Sequence, residues 1–414
     1  MPTATLRASG EALSAAGSRA ETSSFGRIFA VFLCGMLAFL ELYCTQPMLP
    51  MLARIFHASE ASVGSTISAS TLGVAISAAL LALFGERMDR KKTIIASMVA
   101  LAACTVLTAS ATSLPALALW RMLQGLITPG VFIITIAYVT EEWPPLEVPK
   151  VMSFYVGGTV FGGFSGRVLG GLLAERIGWR PVFLMLGVLG LAGAVLAQRM
   201  LQPAKPRAHT SKARSVFAPV LANARNPRLL ATFGIGFCML YTLISIFSYI
   251  TFYLAEAPFR LSTAELSWLF TVYLCGLAAT LAAGRVLARV GLRHGMVASI
   301  SFCLGGLLLT LAPSLPMIGL GLAVASSGVF ISQTCANSFL RDAAPAGSRV
   351  SAAGMYICSY YIGGTVGGIL PAVAWRMAKW PGCVALTASL LIIAGLLAFF
   401  GWKNRALQPD PIPL

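Results

Sequence analysis

Long apolar stretches recur along almost the whole chain, and they restrict its fold more than any other feature. A segment that crosses the hydrocarbon core of a bilayer needs about 20 predominantly apolar residues. Twelve such stretches, separated by polar segments, predict a polytopic membrane protein. They cover residues 28–50, 62–84, 93–111, 114–140, 150–173, 181–200, 229–255, 265–284, 295–313, 315–340, 350–375 and 382–401.

The spanning segments are predicted to be α-helices, so the fold class is all-α. Lipid offers no hydrogen-bond partner to backbone groups, so each span must satisfy them within a helix or a closed barrel. A barrel would show short strands of alternating polarity, and none occur. Charged residues make up 11% of the chain, against about 25% in typical soluble domains.

The net charge of +16 is explained by membrane topology. If the N terminus is cytoplasmic, most Lys and Arg residues fall in cytoplasmic segments, as they do in inner-membrane proteins. We therefore expect both termini to face the cytoplasm. The predicted partners are the lipid bilayer and a small-molecule substrate, with no nucleic acid.

The chain divides into two similar halves of six spans each. The sequence GVFI at position 130 recurs at 328, and YVGGTV at 155 recurs as YIGGTV at 361. The longest interior polar stretch lies between the halves. The predicted organisation is a disordered tail (1–26), a first bundle (27–200), a cytoplasmic linker (201–228), a second bundle (229–402) and a tail (403–414).

A repeat of six plus six spans favours a carrier. Two parallel repeats can rock about a central site and expose it to each side of the membrane in turn. A membrane sensor would need an output domain, and no segment outside the spans is large enough. An enzyme is not expected, because the spans hold no phosphate loop, zinc-type motif or Ser/His/Asp set. We expect no cofactor and no metal site.

Glu41 is the carboxylate that the sequence places deep within a span, near the middle of span one. A charge there is costly unless it is paired, neutralised or solvated. Glu41 is therefore predicted to take up and release a proton, with Arg121 or Arg167 as its ion-pair partner. The alternatives are a permanently paired structural Glu41, and an Arg121 that pairs with lipid headgroups.

Glycines recur at i+4 spacing in span five, which places them along one side of the helix and predicts close helix packing. The positions are Gly158, Gly162 and Gly166, and span eleven repeats the pattern with Gly364 and Gly368.

Several of these motifs together resemble the major facilitator superfamily. Gly85 with Asp89-Arg90 after span two resembles its signature loop, and Arg121-x-x-Gln124-Gly125 resembles a second signature. In that family the loop Asp and Arg hold the cytoplasmic side shut in the outward-open state. The resemblance thus assigns Gly85, Asp89 and Arg90 to a conformational latch and Arg121 to proton coupling. The alternative for the loop is a solvated basic segment that sets topology.

The stretch from Tyr43 to Pro50, together with Ser165-Gly166-Arg167, narrows the resemblance to a bacterial drug and sugar efflux subgroup of proton antiporters. It implies a monomeric inner (plasma) membrane protein with two six-helix bundles, which exports a small organic or amphipathic solute at the expense of the proton gradient. A proton-coupled importer or a uniporter of a small organic solute is the alternative. The expected cavity residues are Tyr43, Gln46, Gln124, Tyr241, Tyr249, Gln333 and Asn337.

Overall fold

The computed structural model describes most of the chain, and every regular element in the described part is a helix. Gly85, nearly all of both predicted tails and much of the predicted linker lie outside it. The described residues are 25–84, 88–203, 217–345 and 348–402.

Twelve long helices account for the predicted spans within the described residues, and the all-α prediction is confirmed. A 3-10 turn at Gln46–Met48 interrupts α1, and short helices at Phe217–Ala224 and Thr263–Trp268 precede α7 and α8. The long helices are α1 Phe25–Ile55, α2 Glu60–Phe84, α3 Arg90–Thr108, α4 Leu114–Glu142, α5 Val148–Ile177, α6 Trp179–Met200, α7 Pro227–Ala255, α8 Val272–Val290, α9 Leu292–Leu309, α10 Leu315–Ala343, α11 Arg349–Ile369 and α12 Pro371–Gly401.

Ten of the described segments are long and apolar enough to cross a membrane by length and composition. The two that fall short are α5 and α11, the helices in which glycine is densest. The glycines that allow close packing lower the mean hydropathy of these two helices. Both helices are still long enough to cross a bilayer.

The boundary between the last two spans does not coincide with a helix end. Pro371 begins α12, because proline lacks the N–H that would continue α11. Within α12, Ala378 and Lys379 have non-helical backbone angles. The Cys383 thiol donates to the Pro371 carbonyl oxygen at 3.4 Å, although a straight helix would separate these residues by about 18 Å. The chain therefore reverses at Lys379, between predicted spans eleven and twelve.

The turns after α3, α5 and α7 and the reversal at Lys379 lie on one side of the bundle. Arg180 Nη2 donates to the Ala111 carbonyl oxygen at 2.9 Å, and Lys379 Nζ pairs with Glu256 at 3.1 Å. We call this side the distal face. The opposite side carries the end of α6 and the start of α7, and we call it the linker face.

The glycines of α5 lie directly against the backbone of α1. A Cβ atom on Gly162 would overlap the carbonyl oxygen of Met36, so only glycine permits this approach. The same relation joins Gly158 to Phe32, Gly166 to Leu40 and Gly170 to Cys44. The i+4 spacing on one helix is thus matched by i+4 spacing on the other.

The second half repeats this packing between α11 and α7. Gly363 and Gly367 lie against the backbone of Phe237 and Tyr241, as Gly158 and Gly162 lie against that of Phe32 and Met36. The helix pairing therefore repeats in the structure, but the packing glycines of α11 are displaced by one residue, because the sequence repeat aligns Gly363 with Gly157. The neighbouring Gly368 faces α2 of the first half, where its Cβ would meet Ser68, whereas a Cβ on Gly364 would first meet the Leu240 side chain of α7.

Candidate functional site

The two halves meet through α2 and α11. Ser68 Oγ donates to the Thr365 carbonyl oxygen at 2.6 Å, and the hydroxyl oxygens of Thr71 and Thr365 are 3.1 Å apart. A Cβ on Gly64 or Gly368 would overlap the facing helix. These small and hydroxylated residues let the helices of opposite halves touch along their distal parts.

Two acidic side chains add contacts between the halves at the distal face. Glu175, on α5, accepts a hydrogen bond from the Ala264 N–H, at the start of the short helix before α8. Glu60, on α2, accepts from Trp375 Nε1 at 3.2 Å. We call these contacts, together with those of Ser68, Thr71 and Thr365, the distal gate. Outside this gate, Gln46 also forms a hydrogen bond with Ser248 of the second half.

Glu41 lies inside the first half and faces away from the second. Only 1% of its surface is exposed. Thr105 of α3 donates to its Oε2, and Gln124 of α4 donates to the Thr105 hydroxyl oxygen at 2.7 Å. A Cβ on Gly190 of α6 would overlap Oε1. The carboxyl group is therefore enclosed by α1, α3, α4 and α6.

Arg121 binds the main chain of α1 rather than the Glu41 carboxyl group. Its Nη1 donates to the Glu41 carbonyl oxygen at 2.9 Å and to Gln124 Oε1 at 2.6 Å. Its Nη2 donates to the carbonyl oxygen of Leu42 and, at 3.4 Å, to Ser70 Oγ. The predicted ion pair between the two charged groups is not formed in this conformation. Arg121 is fully buried, so it does not reach lipid headgroups either.

Arg167 is also remote from the Glu41 carboxyl group. Its Nε donates to Gln46 Oε1 and its Nη1 to the Gly163 carbonyl oxygen, both at 2.6 Å. Gln46 in turn donates to Ser248 of the second half at 3.3 Å. The predicted ion pair between Glu41 and Arg167 is therefore absent as well, and Arg167 belongs to the junction of the two halves.

Aromatic rings surround the Arg167 guanidinium from both halves. Its central carbon lies 4.2 Å from the ring centre of Tyr43, on α1. From the second half, Tyr273 and Phe270 lie at 4.7 and 5.4 Å. We call Gln46, Arg167 and these three rings the Arg167 cluster. Sequence reasoning found Tyr43 and Gln46 but missed Phe270 and Tyr273, because no motif marks them.

The other predicted cavity residues are dispersed in this conformation. Gln124 belongs to the surroundings of Glu41, as described above. Tyr241 and Tyr249 are fully buried in the second half, where the Tyr249 hydroxyl donates to the Gly368 carbonyl oxygen at 3.0 Å. Gln333 accepts from Tyr356 at 2.9 Å, and Asn337 is exposed on α10. A polar residue on a cavity-lining helix can thus face a neighbouring helix instead.

The loop residues of the predicted latch contact their own half. Asp89 caps α3 by accepting from the Lys92 N–H at 3.0 Å. Arg90 pairs with Glu141, at the end of α4, at 3.1 Å. The third predicted latch residue, Gly85, lies outside the described residues. The charged loop and the distal gate are therefore at opposite faces.

Comparison with known sequences decides the family. The family model described as the Major Facilitator Superfamily matches residues 31–258, which is more than half of the chain. The chain belongs to the major facilitator superfamily. This major facilitator protein is 30% identical over 379 residues to an uncharacterised transporter of Buchnera aphidicola subsp. Schizaphis graminum, with 91% of this chain and 92% of the relative covered. It is 30% identical over 378 residues to the inner membrane transport protein YnfM of Escherichia coli K12, with coverage of 91% and 90%.

Solved structures of other proteins share the fold. A bacterial homologue of the human lysosomal transporter Spinster, in an inward-facing and unoccupied conformation, superposes with a TM-score of 0.75 at 16% identity, covering 92% of this chain and 96% of that one. The D323A mutant of the nucleoside transporter NupG gives 0.73 at 15% identity, covering 91% and 100%. The protein is thus a multi-pass membrane transporter with the twelve-helix major facilitator fold.

Proposed function

We propose that this transporter exports a small organic solute in exchange for protons by alternating access. The linker face is taken as cytoplasmic, because Lys and Arg concentrate in the segments on that side. Both termini then lie in the cytoplasm of a bacterial cell, and the protein works as a monomer in the inner membrane. The distal face, where the gate is closed, is the outer side.

Alternating access is supported by the position of the contacts between the halves. The distal gate joins α2 to α11, and α5 to the short helix before α8, through hydrogen bonds of individual side chains. Such contacts can be exchanged for others when two rigid bundles rock. Within each half, in contrast, glycines hold α5 on α1 and α11 on α7 at backbone contact. Motion is therefore expected between the halves rather than inside them.

Proton coupling is supported by one feature of the Glu41 surroundings. The Thr105 hydroxyl has one proton and two acceptors, Glu41 Oε2 and the Leu101 carbonyl oxygen at 2.9 Å. When Glu41 is ionised, Thr105 donates to it. When Glu41 is protonated, Glu41 donates to Thr105 and Thr105 donates to Leu101. The carboxyl group thus keeps its hydrogen bonds in both protonation states without a side-chain movement. A buried group that exchanges protons needs such partners in both states.

Proteoliposomes with an imposed pH gradient test the proposal. A panel of anionic, neutral and cationic organic solutes is offered to vesicles with an acidic or an alkaline lumen. An antiporter accumulates its solute in the acidic lumen, because outward proton flow drives solute inward. Accumulation in the alkaline lumen would indicate a proton-coupled importer, and accumulation in neither would indicate a uniporter. Protein-free liposomes correct for passive partitioning of weak acids and bases.

Locking the distal gate is expected to stop transport. The hydroxyl oxygens of Thr71 and Thr365 are 3.1 Å apart, so a Thr71→Cys, Thr365→Cys pair is within reach of a disulfide. Oxidation should reduce solute flux to the level of empty vesicles, and a reductant should restore it. Each single substitution controls for pairing with native cysteines. Undiminished flux in fully cross-linked protein would show that the gate need not open.

A further inference from the structure

Arg167 is a buried cation for which the structure supplies no anion. Only 2% of its surface is exposed, and no carboxylate of the described residues lies within ion-pair distance. An arginine cannot shed its charge in a protein, and burial of an uncompensated ion is costly. This separates Arg167 from Arg90, whose guanidinium is paired with Glu141.

The protein compensates this charge only in part. Two N–H groups of Arg167 donate to uncharged oxygens, those of Gln46 and Gly163. The faces of Tyr43, Tyr273 and Phe270 add cation–π attraction, which is weaker than an ion pair with hydrogen bonds. The other N–H groups of the guanidinium remain available to a ligand.

A second polar group at the same place also lacks a partner. The Tyr273 hydroxyl is buried and makes no hydrogen bond, although its ring contacts the Arg167 guanidinium. Buried hydroxyls in folded proteins are normally satisfied, so an unsatisfied one beside an unpaired cation indicates a place for an acceptor. An anionic oxygen would satisfy both groups at once.

We propose that the Arg167 cluster binds the carboxylate of the transported solute, which is an organic anion. The inference rests on the proposed transport function and specifies its substrate class. A guanidinium presents a planar fork that matches the two oxygens of a carboxylate. The rings of Tyr43 and Phe270 then flank the apolar part of the solute. Phosphate-like groups share the charge, but the planar rings around Arg167 favour a flat carboxylate.

The Arg167 cluster lies where a binding site can be exposed to each side of the membrane in turn. Arg167, Gln46 and Tyr43 belong to the first half, whereas Tyr273 and Phe270 belong to the second. Opening of the distal gate separates the two groups and exposes Arg167 to the outer side. Solute bound between the halves in one state is thereby released in the other.

Binding by the purified full-length protein tests the inference without any gradient. Thermal stability is measured with benzoate, 1-naphthoate and 4-hydroxybenzoate, and with the matched amides and benzylic amines. We expect saturable stabilisation by at least one carboxylate and an affinity about tenfold to a hundredfold lower for its amide, because the charge-assisted bonds are lost. The inference is overturned if no carboxylate stabilises the protein, or if an amide or amine binds as tightly.

Variants locate the site. Arg167→Gln should weaken carboxylate binding by about tenfold to a hundredfold, and Tyr273→Phe, which removes only the unpartnered hydroxyl, should weaken it less. Arg176→Gln removes the same charge from an exposed position on the same helix and should leave binding unchanged. The proposal is overturned if Arg167→Gln and Tyr273→Phe both bind the carboxylate as tightly as the wild-type protein does. If the protein binds carboxylates but shows no flux driven by a pH gradient, proton coupling is refuted and the carboxylate site stands.

Discussion

Glu41→Gln is expected to abolish solute accumulation driven by a pH gradient while leaving the protein folded. The glutamine amide can replace a neutral carboxyl group beside Thr105, as donor or as acceptor, but it cannot take up or release a proton. The free energy of unfolding should therefore change by less than about 1.5 kcal/mol. Passive exchange of solute across the vesicle membrane can persist, because the halves still rock.

The measurement is solute-induced proton release from purified protein across a pH series, combined with flux in vesicles with an acidic lumen. Glu147→Gln is the matched control, since this acidic residue is exposed at the linker face and its side chain caps no helix. Wild-type proton release by Glu41→Gln at every pH would assign coupling to another group. Glu41 would then be a structural residue that ties α1 to α3.

Gly162→Ala is expected to have the largest effect on stability. The added Cβ would overlap the Met36 carbonyl oxygen, and backbone atoms on α1 cannot rotate away as a side chain could. The helices must therefore separate, which breaks the contacts of neighbouring glycines along the same line. Overpacking typically costs about 1–3 kcal/mol, and we expect at least the upper end here because the obstacle is backbone.

The matched control is Gly157→Ala, five residues earlier on the same helix. Nothing lies within 4 Å of a Cβ at Gly157, so this substitution should be neutral or stabilising, since alanine favours a helix more than glycine does. Melting temperature and the yield of monodisperse protein in detergent compare the two variants. If both melt together, the α1–α5 contact does not require glycine.

The sequence by itself determined the number of spans, their helical form and the faces that pack. Bilayer thickness sets the length of an apolar segment, and lipid forces its backbone into helices. The i+4 spacing of Gly158, Gly162 and Gly166 defined one side of α5 without reference to a partner. The repeat of YVGGTV as YIGGTV located the corresponding helix in the second half. These features are local or periodic, so the chain alone contains them.

The partners of the charged residues were decided only by the tertiary structure. The sequence located Glu41, Arg121 and Arg167 within spans and suggested that opposite charges would pair. Position along a helix, however, does not fix which neighbour a side chain faces, and a guanidinium is satisfied by carbonyl oxygens as well as by a carboxylate. Arg121 therefore binds the main chain of α1, and Arg167 faces Phe270 and Tyr273, about a hundred residues further along the chain. Those rings reach Arg167 only because the halves close at the distal gate, a contact that no local pattern encodes.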